Sequence, residues 1–208
     1  MSEDDLIESE EVAEESAEEQ AERARRREAA MSRIVRFGDP LLKSRASEIT
    51  EFGTELVAEA DEMVSLMRDA IGCGLAANQV GRLRRLLVIE PPGEEAPTAL
   101  VNPEVEWLSE ELDEMQEACL SIPGIAVDVA RPVAGRFTGL DLAGTEVRLE
   151  LEGLPARILQ HELDHLDGIL ILDRATPDQR KAALGALRRG ETWSPPETDG
   201  EATEEALA

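Results

Sequence analysis

The sequence predicts an α+β fold in which antiparallel β-sheets surround a central helix. Segments with strand-like apolar patterns lie mostly before the strongest helical pattern, Pro155–Leu166, and they do not alternate regularly with helices. That order favours short antiparallel strands over a parallel sheet with crossover helices. The clearest strands are expected at Leu86–Ile89, Ala99–Trp107, Val133–Thr138 and Thr145–Leu151.

Helical signals mark three segments. Thr54–Ala70 places apolar residues at helical spacing, and Pro155 suits the first turn of the helix that ends at Leu166. Thr176-Pro177 combines an N-cap residue with a first-turn proline, which predicts a last helix running to about Arg189. Residues 72–81 are expected to form a glycine-flanked loop, and residues 115–123 an irregular or extended segment.

The two ends of the chain are more acidic than its middle. Of the net charge of −25, residues 1–30 contribute −8 (12 acidic, 4 basic) and residues 191–208 contribute −6 (6 acidic, none basic). We expect a disordered or solvated acidic tail over 1–30, a folded domain over 31–175, a C-terminal helix over 176–190 and an acidic disordered tail over 191–208. Met31 marks either the edge of the fold or a start of translation.

Composition argues against several kinds of partner. A strongly acidic chain is a poor ligand for nucleic acid or an anionic membrane, so neither sequence-specific nucleic-acid binding nor membrane association is expected. No apolar run approaches the roughly 20 residues that span a bilayer. The two cysteines, Cys73 and Cys119, are expected to be thiols in a reducing, cytoplasmic setting.

The strongest chemical signal is the pentapeptide His161-Glu162-Leu163-Asp164-His165. Histidines at i and i+4 lie on one face of a helix, so both imidazoles can reach one metal ion. Glu162 is then placed to accept a proton from a water that the metal activates. The chain has only these two histidines, and apolar residues flank the motif, which predicts a metal-dependent hydrolase with a central metal-binding HExxH helix.

The identity of a third ligand stays open at this stage. Ile171 occupies the position where one metalloprotease class carries a third histidine, and Glu191 is the only glutamate between the motif and the acidic tail. The two thiols are the remaining candidates. Taken alone, Cys119 is more typical of a small buried apolar residue.

The 72–81 segment supplies a second signal. Its small residues, Gly74 among them, allow the backbone to approach a ligand closely, and Gln79 offers an amide donor. It lacks the Gly-Lys-Ser/Thr ending of a phosphate-binding loop.

Three segments together resemble the peptide deformylase family. They read GCGLAANQ at 72–79, EACLS at 117–121 and QHELDH at 160–165, in the family's order and at similar spacing. The resemblance covers roughly residues 34–173. It implies removal of the N-formyl group from the initiator methionine of nascent chains, with release of formate.

The resemblance also implies residue roles. Cys119, His161 and His165 would be the metal ligands, Glu162 the general base and acid, and the Gln79 side chain and Leu120 backbone N–H the donors to the developing oxyanion. Cys73, Gly74, Met115, Leu154 and Ile158 would contact the substrate, although core packing explains the last three equally well. Family members typically use Fe²⁺, often replaced by Zn²⁺ or Ni²⁺.

Three positions depart from the family pattern. Ala118 stands where a glycine is usual, Cys73 replaces a β-branched residue, and Ala126 occupies a position where many members carry a substrate-binding arginine. These changes bear on substrate affinity and rate, because no ligand or base is lost. They leave open the alternative that the protein is a catalytically weak, metal-binding paralogue. A metallopeptidase that acts on another amide is the other alternative. The resemblance also implies transient contact with the ribosome through the last helix, although a solvated face explains its basic residues Arg180, Lys181, Arg188 and Arg189 more simply.

Overall fold

A computed structural model describes residues 16–196 of the chain, so the predicted tail positions 1–15 and 197–208 lie outside the described residues. The described part is a mixed α/β fold with antiparallel sheets, which confirms that expectation. Its helices are α1 (Ala17–Arg33), α2 (Thr54–Asp69), α3 (Leu154–Leu166), α4 (Ile171–Arg174) and α5 (Pro177–Arg189). Its strands are β1 (Gly74–Ala76), β2 (Leu86–Ile89), β3 (Thr98–Leu108), β4 (Leu112–Ala118), β5 (Ala126–Pro132), β6 (Ala134–Leu140) and β7 (Glu146–Glu152).

Every strand pair in the described residues is antiparallel. One sheet has the order β1-β2-β3-β6-β7, and the second consists of β4 and β5. The apolar run Leu86–Ile89 is buried throughout because β2 lies inside the larger sheet. In β5, Val127 and Val129 alternate inward and join the core of the smaller sheet.

Helix α3 lies between the two sheets. It contacts β1, β2 and β7 of the larger sheet and β5 of the smaller one. Pro155 occupies its first turn as predicted, and Gly153 caps it with a positive φ of 62°. Nearly the whole helix from Ala156 onward is buried, so polar groups on it must find partners inside the protein.

The predicted boundary between the tail and the folded domain at residue 31 is wrong, because α1 runs across it. Ser16 and Glu19 form a capping box, and α1 then continues through Met31 without interruption. Residues 16–29 are exposed, as expected of a solvated helix. Ala30 and Met31 are buried in the core that contains α2, because the last turn of α1 brings an apolar face against it.

Two further segments differ from expectation. The predicted 72–81 loop contains β1, which pairs with β2, followed by a short 3-10 helix at Ala77–Val80. The segment predicted as irregular begins within β4, whose partner β5 was not predicted. Apolar alternation could not reveal β4, since six of its seven residues are exposed and the buried one is Glu117.

The predicted acidic tail is ordered where it begins. Trp193 bridges to Ile125 in parallel, with its N–H donating to the Gly124 carbonyl at 2.8 Å. Trp193 also packs on the core of the smaller sheet, and Pro195 is buried. The expectation of disorder from residue 191 is therefore wrong up to residue 196, because two apolar side chains fix the segment. No helix in the described part is long and apolar enough to cross a membrane.

Candidate active site

The two histidines of α3 lie one helical turn apart and face the same way. Their ring centroids are 5.0 Å apart and the rings meet edge to face at 64°. His165 is almost fully buried, while His161 stands nearer the surface of a cleft. The i and i+4 spacing thus produces the pair of imidazoles that the sequence predicted.

Cys119 completes a group of three donors. It follows β4 directly, is buried, and places its Sγ atom 3.2 Å from Nε2 of His165. One donor atom each from Cys119, His161 and His165 lie within 4.8 Å of one another. A thiol and two imidazoles at this separation could hold one metal ion.

Glu117 holds His161 from behind. Its Oε2 accepts from Nδ1 of His161 at 2.9 Å, and Arg131 binds the same carboxylate with two hydrogen bonds of 2.6 and 2.9 Å. Arg157 adds a bond of 2.8 Å to Oε1. Sequence reasoning assigned Glu117 no role, although it lies two residues before Cys119 in a quoted motif.

The same network continues to the far side of α3. Arg131 also donates to Asp164 at 2.8 Å, and Asp164 accepts from Arg174 of α4 at 2.5 Å. Asp164 lies three residues after His161, so its carboxylate shares that region of the helix. The buried charges of Glu117, Arg131 and Asp164 are therefore paired with one another.

Gln79 reaches the site from the 3-10 helix. Its Oε1 accepts from the Ala76 N–H at 2.8 Å, which orients the amide. Its Nε2 then points to Ser121 Oγ at 3.3 Å and Cys119 Sγ at 3.7 Å. The backbone N–H of Leu120 has no hydrogen-bond partner among residues 16–196, so it remains an available donor beside Cys119.

Two glycines make room for the side chains of Glu162 and Leu120. A Cβ at Gly74 would lie 2.8 Å from Cγ of Glu162, and a Cβ at Gly72 would lie 2.9 Å from Cδ1 of Leu120. Both separations are shorter than van der Waals contact. The glycines are required by close approach rather than by a left-handed backbone.

A cavity of about 410 Å³ opens above this group. Its walls include Gln79, Cys119, Leu120, His161 and Glu162, whereas His165 lies behind them. The predicted substrate-contacting residues all line it as well: Cys73, Gly74, Met115, Leu154 and Ile158. The cavity is also lined by three residues that the sequence did not assign to the site, namely Arg27, Met31 and Arg157.

Similarity to known proteins decides the family. A model of the polypeptide deformylase family matches residues 31–181, most of the chain. The chain belongs to the peptide deformylase family. Peptide deformylase 1 of Corynebacterium glutamicum is 44% identical over 161 residues, which are 76% of this chain and 95% of that protein.

Solved deformylase structures share the fold. Peptide deformylase 1B of Arabidopsis thaliana, in complex with an inhibitor, superposes with a TM-score of 0.71 at 38% identity, over 76% of this chain and 90% of that one. The Synechococcus elongatus peptide deformylase in complex with actinonin gives 0.71 at 37%, over 76% and 88%. Peptide deformylases are metalloenzymes that hydrolyse N-formyl groups, and the Cys119, His161 and His165 group is where this member can hold its ion.

The three departures from the deformylase pattern lie on β4, on β5 and on the cavity wall. Ala118 is exposed at the end of β4, and among the described non-glycine residues only Ile71 and Asn102 have positive φ. Ala118 therefore does not occupy the left-handed region in which only a glycine would be unstrained. Cys73 is an exposed thiol on the cavity wall, and Ala126 pairs with Ala118 across the smaller sheet.

Burial and ion pairing set the protonation of the deformylase site. Burial raises the pKa of Glu162 to about 7, although the charges of His161 and Arg131 work against it. Burial would also raise the pKa of Glu117, but hydrogen bonds from His161 and Arg131 outweigh it and hold that pKa at about 2. Glu117 is thus a permanent carboxylate, while Glu162 can exchange a proton near neutral pH.

The pKa values of the two histidines shift in opposite directions. Burial disfavours a charged His161, but hydrogen bonds to Cys119 and Glu117 outweigh burial and hold its pKa well above the usual value. Burial holds the pKa of His165 well below its usual value, and the charge of His161 adds to that effect. A neutral imidazole at His165 is the form that binds metal ions.

Proposed function

We propose that this chain removes the formyl group from N-formylmethionyl peptides, releasing formate and a free N-terminal methionine. One observation carries the proposal: the donors of Cys119, His161 and His165 converge within 4.8 Å beside the buried carboxylate of Glu162. Family membership supplies the reaction type, and N-formylmethionyl nascent chains are the proposed substrate.

Cys119, His161 and His165 would hold one divalent ion. A thiolate with two imidazoles suits borderline and soft metals, so we propose Fe²⁺ first, with Zn²⁺ or Ni²⁺ as substitutes. The residues fit such an ion, because Oε2 of Glu162 is buried without a hydrogen-bond partner among the described residues and can accept from a water there. When bound, the ion would supply Lewis acidity that polarises the formyl carbonyl and acidifies a water.

Glu162 is the proposed proton carrier. Its carboxylate takes a proton from the attacking water as the new C–O bond forms, and it returns that proton to the departing nitrogen as the C–N bond breaks. The pKa of about 7 suits both steps, since neither direction of transfer is strongly uphill at neutral pH. Gly74 makes room for this side chain, because a Cβ at that position would lie 2.8 Å from Cγ of Glu162.

Gln79 and Leu120 are the proposed donors to the oxyanion. The Gln79 amide is fixed by Ala76 before substrate arrives, and the Leu120 N–H is not used elsewhere in the described residues. Preorganised donors stabilise developing charge without a reorganisation cost during the reaction. Together they would hold the former formyl oxygen while Glu162 moves the proton.

The methionine side chain of the substrate is proposed to pack against the apolar wall of the cavity. Met115, Leu154 and Ile158 contribute thioether and aliphatic surface there, and Cys73 lies at the same wall. Met115 and Leu154 are 43% and 44% exposed, so their apolar surface on this wall is available to a ligand.

Contact with the ribosome through α5 stays a proposal, as does a cytoplasmic setting. The structure indicates which basic residues of α5 are available for contact with the ribosome. Arg180 is committed to Asp173 and the Leu172 carbonyl, and Arg189 pairs with Glu191. Lys181 and Arg188 are exposed and remain the candidates.

Formate release tests the proposed reaction. Protein purified anaerobically with Fe²⁺ is expected to release formate from formyl-Met-Ala-Ser and to leave unblocked Met-Ala-Ser intact. Glu162→Gln should lose about 10²- to 10⁴-fold in kcat while keeping one metal ion per chain. Cleavage of the unblocked peptide would support a metallopeptidase instead, and a metal-loaded wild type without formate release would support the weak paralogue.

A further inference from the structure

The N-terminal helix brings a charged side chain to the active-site cavity. Arg27 and Met31 are four residues apart on α1, so they lie one turn apart on the same face, and both line the cavity. Met31 is buried in the core shared with α2, which anchors this end of the helix. Arg27 lies before the first residue of the family match at 31.

The guanidinium of Arg27 has no ion pair or hydrogen bond within the described part of the chain. Two other arginines of α1 are engaged, since Arg26 pairs with Glu22 and Arg33 pairs with Glu62. The other cation on the cavity wall, Arg157, is bound to Glu117, the Val129 carbonyl and the Asp113 carbonyl. Arg27 is therefore the cation of the described cavity wall that is free to bind a ligand.

The chemistry of the proposed peptide substrate indicates which group Arg27 would bind. The formyl group must reach Glu162 and the methionine side chain the apolar wall, so the following residues of the peptide leave along the cavity. Their exposed acceptors are main-chain carbonyl oxygens. A guanidinium presents five donors in a planar fork and binds such oxygens with charge-assisted hydrogen bonds.

We propose that Arg27 is a substrate-binding residue that hydrogen-bonds the main chain of the peptide beyond its formylmethionine. The inference rests on the proposed function, since it names a further contact of the same site. It makes α1 part of the substrate cleft, although nearly all of that helix precedes the segment that matches the family.

Substrate length separates this contact from the chemistry. The full chain and Arg27→Ala are compared on formyl-Met-Ala-Ser amide and on formylmethionine amide, which has no residues beyond methionine. The variant is expected to show a KM about 3- to 10-fold higher on the longer substrate, with kcat unchanged. On formylmethionine amide its KM and kcat should equal those of the wild type.

Arg25→Ala is the matched control. Arg25 lies on the same exposed helix but does not line the cavity, so the change removes the same charge without the proposed contact. It should leave both substrates unaffected, and Arg27→Lys should restore part of the longer substrate's affinity. Equal effects of the two alanine variants, or equal losses on both substrates, would overturn the inference. A wild type that hydrolyses neither substrate would instead overturn the proposed function.

Discussion

The carboxylate of Glu117 accepts a hydrogen bond from Nδ1 of His161 at 2.9 Å. This bond fixes the imidazole and leaves its Nε2 free to face Cys119 and His165. Arg131 and Arg157 in turn hold Glu117 in place. Glu117 is buried and paired with two arginines, and it thus orients one donor of the proposed metal site.

Glu117→Gln should weaken metal binding without removing a ligand. The neutral amide keeps the size of the side chain but loses the charge that orients His161 and that Arg131 and Arg157 compensate. We expect an affinity about 10- to 100-fold lower, because such outer partners typically contribute that much. Titration against a chelator of known affinity measures it.

Glu114→Gln provides the matched control for that measurement. Glu114 lies on the same strand, β4, but its side chain is exposed. It should bind metal as the wild type does. If both variants bound metal equally well, the orienting role of Glu117 would be excluded.

Gly74→Ala should impair the reaction more than the fold. The added methyl group would lie closer to Glu162 than van der Waals contact allows, and moving that side chain would take the proposed proton carrier away from the site. We expect a kcat at least about 100-fold lower with metal content unchanged. Gly53→Ala, where an added Cβ meets nothing within 4 Å, is the control. Retained activity in Gly74→Ala would show that Glu162 tolerates displacement.

The sequence predicted the helix and the donors on it for a physical reason. Helical periodicity places His161 and His165 on one face whatever the rest of the fold does. The i and i+4 spacing alone therefore predicts that the two imidazoles lie side by side. Cys119 could be assigned only through the resemblance, because its approach to His165 depends on pairing of β4 with β5. No local pattern encodes that distance.

The missed features all depend on tertiary contacts. Glu117 is a charged residue on an otherwise exposed strand, and its partners Arg131 and Arg157 come from other elements. The composition of residues 16–29 indicated a solvated helix, but its orientation toward the cavity follows from burial of Met31 further on. Such relationships become visible only when the elements are packed.

Leu154→Ala tests the methionine pocket. Leu154 is half exposed on the cavity wall, so truncating it should remove contact with the substrate side chain at little expense to the fold. Losing a few buried methylene equivalents should raise the KM for formyl-Met-Ala-Ser about 3- to 10-fold. The effect on formyl-Ala-Ala-Ser should be smaller, because alanine does not reach the wall.

Leu112→Ala is the control for that substitution. Leu112 is an exposed leucine of β4 that does not line the cavity. It should leave both KM values unchanged. An equal loss on the two substrates in Leu154→Ala would argue against a specific methionine pocket.

Asp173 should contribute stability that disappears in acid. Burial would raise its pKa, but the ion pair with Lys43, the Leu170 N–H and Arg180 outweigh burial and lower it below the usual 3.8. Since the folded state binds the proton less readily than the unfolded state, the stabilisation is full well above pH 3.8 and is lost as the pH falls below it. Asp173→Asn should therefore lower the free energy of unfolding by about 1 kcal/mol or less at pH 7, and by less at pH 3, in urea titrations. A difference that stays constant between these pH values, or that matches exposed Asp61→Asn, would contradict this account.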